Sequence, residues 1–436
     1  MSALALLGGS PARSGSLPKW PVANPGDAER LQQVLGSGNW GGYPYPNRFA
    51  SQFADAFAKY HGAEYASCVA NGTVAILIAL RAAGIAFGDE VIVPAYTWDG
   101  TATAVLDAGG IPVFADVDPD SYCLDVEAVR RAITPRTRAI VPVHLAMRFT
   151  DMDALVALAK EQNLAIIEDC AHAHGGEWKG KGAGAIGDAG CFSLQSSKLM
   201  TSGEGGIVTT SRLEIFELMQ SVINCGRASQ TDRFGKRMIG SNYRITEFQA
   251  AVLIGQLETL PQLNELRAKN AARLSAGLAG IPGIRPLPPQ SQVTREAIYQ
   301  YVFRYDEGDS GVSRDMFCAA MDAEGVPSDG RFYEPVYRSD LYKPTTRHFP
   351  QLNGRGEQPA CPVSERAAYH ESVWLPHFLL LGSADAPGGN LVDGILRAVH
   401  KVMENREALR TADPKLAALK SLSRADRPRV EVKKNY

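Results

Sequence analysis

The chain has 436 residues, of which 45% are hydrophobic and 21% charged, the proportions of an ordinary globular protein of two or three domains. Its 45 Lys and Arg residues are balanced by 47 Asp and Glu residues, and the net charge of −2 argues against a protein that binds nucleic acid through a basic surface. No apolar run reaches the roughly 18 residues that a membrane span requires, and the seven cysteines include no CxxC pair, so we expect a cytoplasmic protein without a zinc site or disulfide framework.

The first half of the chain, after an N-terminal arm over residues 1–25, alternates between helix and strand patterns. Residues 73–84 are rich in Ala and Leu and end at a glycine, which predicts a helix. Further helices are expected over residues 125–132 and 151–162. Short runs rich in Val and Ile predict buried strands over residues 90–96, 112–118, 139–145, 165–170, 190–194 and 206–210. This alternation is typical of an α/β protein with a mostly parallel sheet that is covered on both faces.

The second half of the chain begins with a helical pattern, which is followed by a Pro-rich stretch and then by a mixture of strand and helix patterns. Amphipathic spacing predicts two helices, over residues 246–260 and 263–278. A Pro-rich stretch over residues 282–289 predicts a hinge. Beyond the hinge, a strand over residues 299–305 and a helix over residues 313–324 indicate a smaller α+β domain.

These elements divide the chain into four parts. After the arm, we expect a large domain over residues 26–284 and a small C-terminal domain over residues 285–411. The last segment, residues 412–436, is basic and weakly patterned, and we expect it to be disordered.

Three segments carry side chains suited to chemistry, although each has an ordinary structural explanation. Asp169 ends an apolar strand, at the sheet edge where ligands bind, but a helix cap would explain it equally well. Ser193 and Lys198 follow the next predicted strand in a Ser-rich turn that suits an anion, yet most lysines are simply exposed. Gly72 and Thr73 begin an Ala-rich helix whose N–H groups attract anions, and an ordinary helix start would also place them there.

Taken together, the three segments offer the groups that pyridoxal 5'-phosphate requires. Lys198 supplies an amine for a Schiff base with the cofactor's aldehyde. Asp169 supplies a carboxylate that keeps the pyridine nitrogen protonated and so strengthens the electron sink. The turn and the helix start supply N–H and hydroxyl donors for the phosphate.

Five stretches of sequence place these residues in a known pattern: residues 71–80, 88–98, 168–175, 187–206 and 240–257. In this order and spacing they resemble the DegT/DnrJ/EryC1/StrS family of pyridoxal-phosphate aminotransferases, which act on nucleotide sugars, cyclitols and related cyclic ketones. The resemblance implies a fold-type-I transferase, with a mostly parallel seven-stranded sheet in the large domain and a smaller α+β domain after it. It also implies a homodimer whose active sites are shared between the subunits.

The resemblance also implies roles for individual residues. Lys198 matches the Schiff-base lysine that carries the proton, and Asp169 matches the partner of the pyridine nitrogen. Trp98 matches an aromatic residue that stacks on the cofactor ring, with core packing as the alternative. The residues that match phosphate ligands are Gly72, Thr73, Ser193 and Asn242. Of these, Asn242 would reach the phosphate from the neighbouring subunit, or else it is a turn residue.

Two residues depart from the family pattern. His172 stands where many relatives carry a Gln against the cofactor's phenolic oxygen, and a His can donate a hydrogen bond there as well. The sequence Ala-His-Ala-His-Gly around it is similar to that of enzymes that make 3-amino-5-hydroxybenzoate, so His172 is a catalytic candidate, although a lone His is more often structural. Arg148 either binds substrate or lies on the surface, and we expect the surface.

The implied reaction moves an amino group from glutamine or glutamate to a cyclic ketone, either a scyllo-inosose-type cyclitol or a keto sugar. The product would be an aminocyclitol or amino sugar of secondary metabolism, such as antibiotic biosynthesis. Residues 118–125, 142–145 and 372–377 resemble the cyclitol and aminobenzoate groups rather than nucleotide-sugar enzymes. One alternative is an enzyme that couples amination to aromatisation of a cyclohexenone. A more distant alternative is a pyridoxal-phosphate sensor without catalytic activity.

Overall fold

A seven-stranded sheet forms the centre of the computed structural model, which describes residues 3–229, 231–353, 355, 358–382, 391–422 and 426. The strands, numbered along the chain, are β1 (Tyr65–Val69), β2 (Glu90–Pro94), β3 (Ile111–Ala115), β4 (Thr137–Ile140), β5 (Ala165–Asp169), β6 (Glu177–Trp178), β7 (Lys181–Gly182), β8 (Ala189–Ser193), β9 (Gly206–Thr210), β10 (Ile284–Pro286), β11 (Val293–Arg295), β12 (Gln300–Tyr305) and β13 (Ser372–Pro376). The order across the central sheet is β1-β9-β8-β5-β4-β2-β3. Strands β3, β2, β4, β5 and β8 run parallel, whereas β9 is antiparallel to both of its neighbours.

Helices alternate with these strands, as the sequence predicts. They are α1 (Asp27–Ser37), α2 (Arg48–His61), α3 (Gly72–Ala82), α4 (Gly100–Asp107), α5 (Val126–Ala132), α6 (Met152–Gln162), α7 (Leu213–Ile223), α8 (Glu247–Leu278), α9 (Glu307–Ser310), α10 (Arg314–Ala323), α11 (Pro362–Arg366), α12 (Leu391–Glu404), α13 (Arg406–Arg410) and α14 (Ala418–Ser421). Among the described residues, we find no helix with both the length and the apolar character that crossing a membrane demands.

The central sheet is buried between two helical layers. On one face α2 and α8 pack against it, and Phe57 and Phe192 belong to the same buried cluster. On the other face α3 and α7 contribute Ile78 and Met219 to a second cluster. Cys191 and Phe192 are neighbours in β8 but enter opposite clusters, because successive side chains of a strand point to opposite faces. The expected α/β architecture with a mostly parallel seven-stranded sheet is therefore confirmed.

The prediction of two helices over residues 246–278 is wrong, because α8 continues through Pro261 as one helix of 32 residues. A proline inside a helix removes one hydrogen-bond donor and normally breaks the helix. Here Pro261 lies on the exposed side, while Leu260 and Asn264 on either side of it are buried. Packing of the buried face against the rest of the chain outweighs the missing hydrogen bond.

A second, smaller sheet forms in the C-terminal part of the chain. Strands β10, β12 and β13 pair antiparallel in that order. Helices α10 and α12 pack together beside this sheet, and Phe303, Phe317 and Ile395 belong to one buried cluster. The strand expected over residues 299–305 and the helix expected over residues 313–324 are both present.

The N-terminal arm lies against this smaller unit. Leu4 is buried in its core, and the backbone N–H groups of Ala5 and Ala12 donate to the carboxylate of Glu324 over 2.8 and 2.6 Å. The same carboxylate, fully buried at the end of α10, pairs with Lys401 over 2.9 Å. One buried anion therefore joins the arm to two helices. The exact boundaries between the arm, the two domains and the tail remain predictions.

The expected disorder of the tail does not hold for its first part. Residues Pro414–Ala417 form a 3₁₀ turn that leads into α14, and both pack on α10. Lys420 in α14 pairs with Asp322 in α10 over 2.5 Å. The prediction for residues 427–436 falls outside the described residues.

Candidate active site

A cavity of about 920 Å³ opens where the parallel strands β5 and β8 end. Parallel strands have their carboxyl ends at one edge of the sheet, so Asp169 at the end of β5 and Ser193 at the end of β8 come together there. The candidate residues that line this cavity are Gly72, Thr73, Trp98, Asp169, His172, Ser193 and Lys198. The tertiary structure therefore collects seven of the eight predicted site residues around one space.

Asn242 is the eighth predicted residue and does not line the cavity. It is exposed and forms an isolated antiparallel bridge with Asn224, the residue that follows α7. Its Oδ1 accepts a hydrogen bond from the backbone N–H of Arg244 over 3.4 Å. The residue is thus held on the surface of this chain, and its expected role at a neighbouring subunit's phosphate stays a prediction.

The N-terminus of α3 forms one wall of the cavity. The side chain of Asn71 caps this helix by accepting the N–H of Val74 over 2.9 Å. The first N–H groups of a helix have no partner within the helix, so those of Gly72 and Thr73 suit an anion. A Cβ atom on Gly72 would lie only 2.7 Å from the Cβ of Ser193, which shows that glycine is needed to bring the helix start against β8.

Asp169 is held in a fixed orientation at the base of the cavity. It is buried; the backbone N–H of Ala171 donates to Oδ1 over 3.1 Å, and the hydroxyl of Thr101 donates to Oδ2 over 2.9 Å. Burial raises the pKa of Asp169, against the effect of these two donors and of Lys198. No helix begins within residues 170–176, so the alternative explanation of Asp169 as a helix cap is wrong.

Lys198 lies over an aromatic ring that the sequence analysis did not identify. Its Nζ is 4.5 Å from the centroid of the Tyr299 ring, a distance at which a cation is attracted to the ring face. The hydroxyl of Tyr299 is 2.9 Å from the hydroxyl of Ser197. Tyr299 lies just before β12, and the only sequence signal there was the strand pattern, which carries no information about the distant lysine.

His172 is packed between aromatic rings and held by hydrogen bonds at both ring nitrogens. It stacks on Tyr299 with ring centroids 4.1 Å apart, and its Nδ1 accepts the backbone N–H of Ala146 over 3.1 Å. The ring proton of neutral His172 is therefore on Nε2, which lies 3.1 Å from the hydroxyl of Tyr333. Tyr333 also lines the cavity and was not identified from the sequence.

Trp98 forms the outer wall of the cavity. Its side chain is 44% exposed, which excludes the alternative that it is a core residue. Close behind it, a Cβ on Gly100 would lie 2.8 Å from both the indole ring and the hydroxyl of Thr73. The indole is therefore pressed against the start of α4 and presents its remaining surface to the cavity.

A second buried carboxylate stands beside Asp169 but belongs to the scaffold. Glu168 accepts hydrogen bonds from Nε2 of His144 and from three backbone N–H groups within residues 184–187. Burial alone would raise the pKa of Glu168, but these donors outweigh it and leave the pKa lowered. Cys170 contributes a sulfur within 4.8 Å of the ligand atoms of His144 and Glu168. Because four donors already occupy the Glu168 oxygens, this group anchors the end of β5.

The expected surface position of Arg148 is wrong. The side chain is 5% exposed, and its guanidinium donates to the backbone carbonyls of Met147 and Leu287. Burial lowers its pKa, while Glu296 opposes that shift. Arg148 does not line the cavity, and its hydrogen bond to Leu287 ties it to the segment that follows β10.

Two histidines, His61 and His174, are buried behind Ser193. His61 donates from Nδ1 to the carbonyl of Ala183 and accepts the N–H of Gly175, and His174 donates to the carbonyl of Ser193. Burial lowers the pKa of His61 to about 4 and that of His174 to about 3. Both rings are therefore neutral in the folded chain at neutral pH.

We expect the free energy of unfolding to fall as the pH drops from about 6.5 towards 4. Below pH 6.5, the ordinary pKa of histidine, the unfolded chain binds protons at His61 and His174, whereas the folded chain does not. The resulting loss of unfolding free energy reaches about 3 kcal/mol for His61 once the pH approaches its folded-state pKa of about 4. Urea unfolding across this pH range should show a shallower dependence in His61→Asn than in the wild type. His400→Asn, which changes an exposed histidine, is the control, and equal slopes in all three proteins would contradict the expectation.

The lining residues fit pyridoxal phosphate in four respects. A glycine-dependent cradle at the start of α3 offers N–H donors beside the Ser193 hydroxyl, which suits a phosphate. A buried carboxylate, Asp169, suits a protonated ring nitrogen, and a half-exposed indole, Trp98, suits stacking on a flat ring. Lys198 also lines the cavity and offers an amine for the aldehyde.

Comparison with known proteins agrees with this arrangement. Residues 23–387 match the model of the DegT/DnrJ/EryC1/StrS aminotransferase family. A relative from Streptoalloteichus tenebrarius, provisionally named an L-glutamine:3-amino-2,3-dideoxy-scyllo-inosose aminotransferase, is 46% identical over 94% of this chain and 100% of its own length. The L-glutamine:2-deoxy-scyllo-inosose aminotransferase of Micromonospora echinospora is 38% identical over the same shares of the two chains. Among solved structures, 3-amino-5-hydroxybenzoic acid synthase superposes with a TM-score of 0.77 at 31% identity, covering 91% of this chain and 100% of the synthase.

Proposed function

Since the chain belongs to the DegT/DnrJ/EryC1/StrS aminotransferase family, we propose that it is a pyridoxal-phosphate enzyme that transfers the amino group of L-glutamine to the ketone of an inosose. The balanced reaction converts glutamine and the cyclic ketone into 2-oxoglutaramate and an amino-inositol. Its place is the biosynthesis of an aminocyclitol, in the cytoplasm and within antibiotic metabolism. The relatives named for this reaction align over almost the whole chain, which supports the proposal.

The charge of the cavity is the observation that carries the choice of acceptor. Among the described residues that line it, the charged side chains are Asp169, Lys198 and Glu204, and no arginine is among them. A nucleotide sugar carries a diphosphate, which proteins bind with arginines, lysines or several helix N-termini. The helix start at α3 is already suited to the cofactor's phosphate. The cavity of this chain therefore favours an uncharged or cationic polyol ketone.

When bound, pyridoxal phosphate would supply the aldehyde that takes up an amino group and a ring that withdraws electrons from the reacting carbon. Gly72, Thr73 and Ser193 would hold its phosphate, and Asp169 would hold the proton on its ring nitrogen. Trp98 would cover one face of the ring and exclude water from it. These side chains fix the orientation of the group before either substrate arrives.

Lys198 is the residue that moves the proton in both halves of the reaction. With pyridoxal phosphate bound, the Nζ of Lys198 would serve as the base that removes a proton from the amino-acid carbon in one half of the reaction, and it would return a proton to the ketone carbon in the other half. The face of Tyr299 holds this nitrogen within the cavity, 4.5 Å from the ring centroid. His172, which stacks on the same ring, keeps Tyr299 in place and presents Nε2 towards Tyr333.

We further propose that two copies of the chain form the working enzyme. In that homodimer Asn242 of each subunit would reach the phosphate of the other, in line with its exposed position outside its own cavity. Gel filtration with light scattering measures the oligomeric state, and an active monomer would contradict this part of the proposal.

The proposed reaction is tested by incubating the purified holoenzyme with L-glutamine and either 2-deoxy-scyllo-inosose or 3-amino-2,3-dideoxy-scyllo-inosose. We expect stoichiometric formation of 2-oxoglutaramate and the corresponding amine, detected by mass spectrometry. Absence of amination with both ketones would overturn the proposal. If, in addition, glutamine left the visible spectrum of the bound cofactor unchanged, the result would favour the alternative of a pyridoxal-phosphate sensor without catalytic activity.

The aminobenzoate-forming reaction is a second candidate because the 3-amino-5-hydroxybenzoic acid synthase structure superposes over the whole length of that enzyme. His172 also resembles that group in sequence. This reaction yields an aromatic product with a new ultraviolet band, whereas an aminated inositol has none. Appearance of the band with a cyclohexenone acceptor, but not with inososes, would favour the second candidate.

A further inference from the structure

Trp20 in the N-terminal arm contacts a buried cation of α8, although it has no role in the reaction described above. The guanidinium carbon of Arg267 lies 5.3 Å from the centroid of the Trp20 ring, within the range at which a cation is attracted to an aromatic face. Arg267 is fully buried, and among the described residues its guanidinium makes one hydrogen bond, to the Asn264 side chain over 3.1 Å. The indole is therefore a principal partner of this charge, and the contact holds the arm against α8.

Trp20 also packs against His377, which follows β13. The two rings are nearly perpendicular, with centroids 4.7 Å apart and planes inclined by 89°. His377 is 2% exposed; burial and the charge of Arg267 lower the pKa of His377 well below its ordinary value, against a hydrogen bond with the backbone of Ser197. The ring of His377 is therefore neutral, and it is held both by the arm and by the residue that precedes Lys198.

His377 packs in turn on Tyr299, over whose ring Lys198 lies. The rings of His377 and Tyr299 have centroids 6.1 Å apart and planes inclined by 28°, a spacing at which aromatic rings attract each other. The hydroxyl of Tyr299 is 2.9 Å from that of Ser197, and its ring centroid is 4.5 Å from the Nζ of Lys198. Two series of contacts therefore connect His377 with the lysine, one through the ring of Tyr299 and one through the backbone of Ser197.

The side chain of Lys198 needs such support. Its amine donates no hydrogen bond to the described residues around it, and besides the ring of Tyr299 it is attracted by the charge of Asp169. A lysine side chain has many rotamers to choose from, whereas proton transfer requires the amine within hydrogen-bond reach of the reacting carbon. A displacement of about 1 Å can lower a rate by about 100-fold. The contacts with Tyr299 and Ser197 therefore limit the positions that the amine can take.

We propose that Trp20 and His377 are positioning residues for Lys198. Trp20 holds His377 in place, and His377 holds Tyr299 and the backbone of Ser197, which set the position of the amine. The inference rests on the proposed function, because it concerns the proton transfers that Lys198 carries out there. It connects the N-terminal arm to the reaction, although no described residue of the arm lines the cavity.

The half-reaction with L-glutamine alone tests this inference, because it contains one of the two proton transfers and needs no acceptor. Stopped-flow measurement of the visible spectrum of the holoenzyme gives its maximal rate and the glutamine concentration at half that rate. In Trp20→Ala we expect the maximal rate to fall by about 10- to 100-fold, because the lysine is displaced, while the half-saturating concentration stays within about twofold of the wild type. Trp20→Phe keeps a ring against His377 and Arg267 and should hold the maximal rate within about threefold of the wild-type value.

Leu4→Ala is the matched control, because Leu4 is a buried residue of the arm that packs in the core of the smaller sheet. It should lower the melting temperature but leave the maximal rate at the wild-type value. A second measurement does not depend on catalysis: the rate at which the full-length chain, freed of cofactor, takes up pyridoxal phosphate, followed in the visible spectrum. Trp20→Ala should slow this uptake because the amine that meets the aldehyde is displaced, whereas Leu4→Ala should not.

The outcomes separate the inference from the proposed function. An unchanged maximal rate in Trp20→Ala, an equal loss in Leu4→Ala, or an effect on the half-saturating concentration alone would overturn the positioning role while the aminotransferase proposal stands. A wild-type holoenzyme that does not react with glutamine would overturn the proposed function, and with it the inference. If Trp20→Ala does not fold, His377→Gln decides: its amide can still bond the backbone of Ser197 but offers no ring to Tyr299, so the same loss of maximal rate is expected, and a wild-type rate would contradict the inference.

Discussion

Replacing Lys198 with alanine is expected to reduce turnover of glutamine and inosose by at least about 10⁴-fold. The variant loses both the amine that binds the cofactor's aldehyde and the base that moves the proton, and a positioned proton carrier alone contributes up to about 10⁴-fold. Steady-state assay of 2-oxoglutaramate formation measures the loss. The fold should survive, because Lys198 donates no hydrogen bond through its amine to the described residues around it, and the interactions removed are its contact with the ring of Tyr299 and its attraction to the charge of Asp169.

Lys179→Ala is the matched control for this variant. Lys179 is a surface lysine that pairs with Asp153 and is not among the residues that line the cavity, so its removal should leave turnover near the wild-type value. Circular dichroism and thermal unfolding establish that both variants are folded. If Lys198→Ala retained turnover within tenfold of the wild type, its assignment as the covalent anchor and proton carrier would be wrong.

Replacing Asp169 with asparagine is expected to lower kcat by about 10²- to 10³-fold, the usual cost of removing one preorganised electrostatic partner. Asparagine has the same shape, and its carbonyl oxygen can still accept the N–H of Ala171. It has no negative charge, however, and cannot keep the ring nitrogen of pyridoxal phosphate protonated. The variant should also bind the cofactor more weakly, as measured by titration followed in the visible spectrum.

Thr101→Val distinguishes the charge of Asp169 from its orientation. It removes the hydroxyl that donates to Oδ2 over 2.9 Å but leaves the carboxylate charged. The loss of kcat should therefore be much smaller than in Asp169→Asn. Equal losses in the two variants would mean that the position of the carboxylate matters more than its charge, and a near-normal rate in Asp169→Asn would remove Asp169 from the mechanism.

Local sequence signals were sufficient for most of the architecture. Short Val- and Ile-rich runs predicted six of the seven strands of the central sheet, because a buried parallel strand needs apolar side chains on both faces. Strand β1 was not predicted, and β4 ends at Ile140, five residues before the predicted end. A helix prediction failed at α8, where a break near Pro261 was expected and does not occur. Long-range packing on both sides of the proline overrode the local preference.

Short sequence motifs also identified the candidate residues for the central chemistry. Asp169, Lys198 and the Gly72-Thr73 pair occur in stretches whose order and spacing match the family, so their meeting in one cavity could be expected. The same method placed Arg148 on the surface, where arginines usually lie. It is buried instead, because the backbone carbonyls of Met147 and Leu287, which are distant from each other in the sequence, accept hydrogen bonds from its guanidinium.

The sequence by itself determined the fold class, the family and the residues that carry the central chemistry, because these depend on local periodicity and on motifs of a few residues. Only the tertiary structure decided which other side chains meet them. Tyr299 under Lys198 and Tyr333 beside His172 come from segments of the chain more than 100 residues away. Contacts of this kind depend on how segments distant in the sequence pack on each other, and no local pattern in the chain predicts that packing.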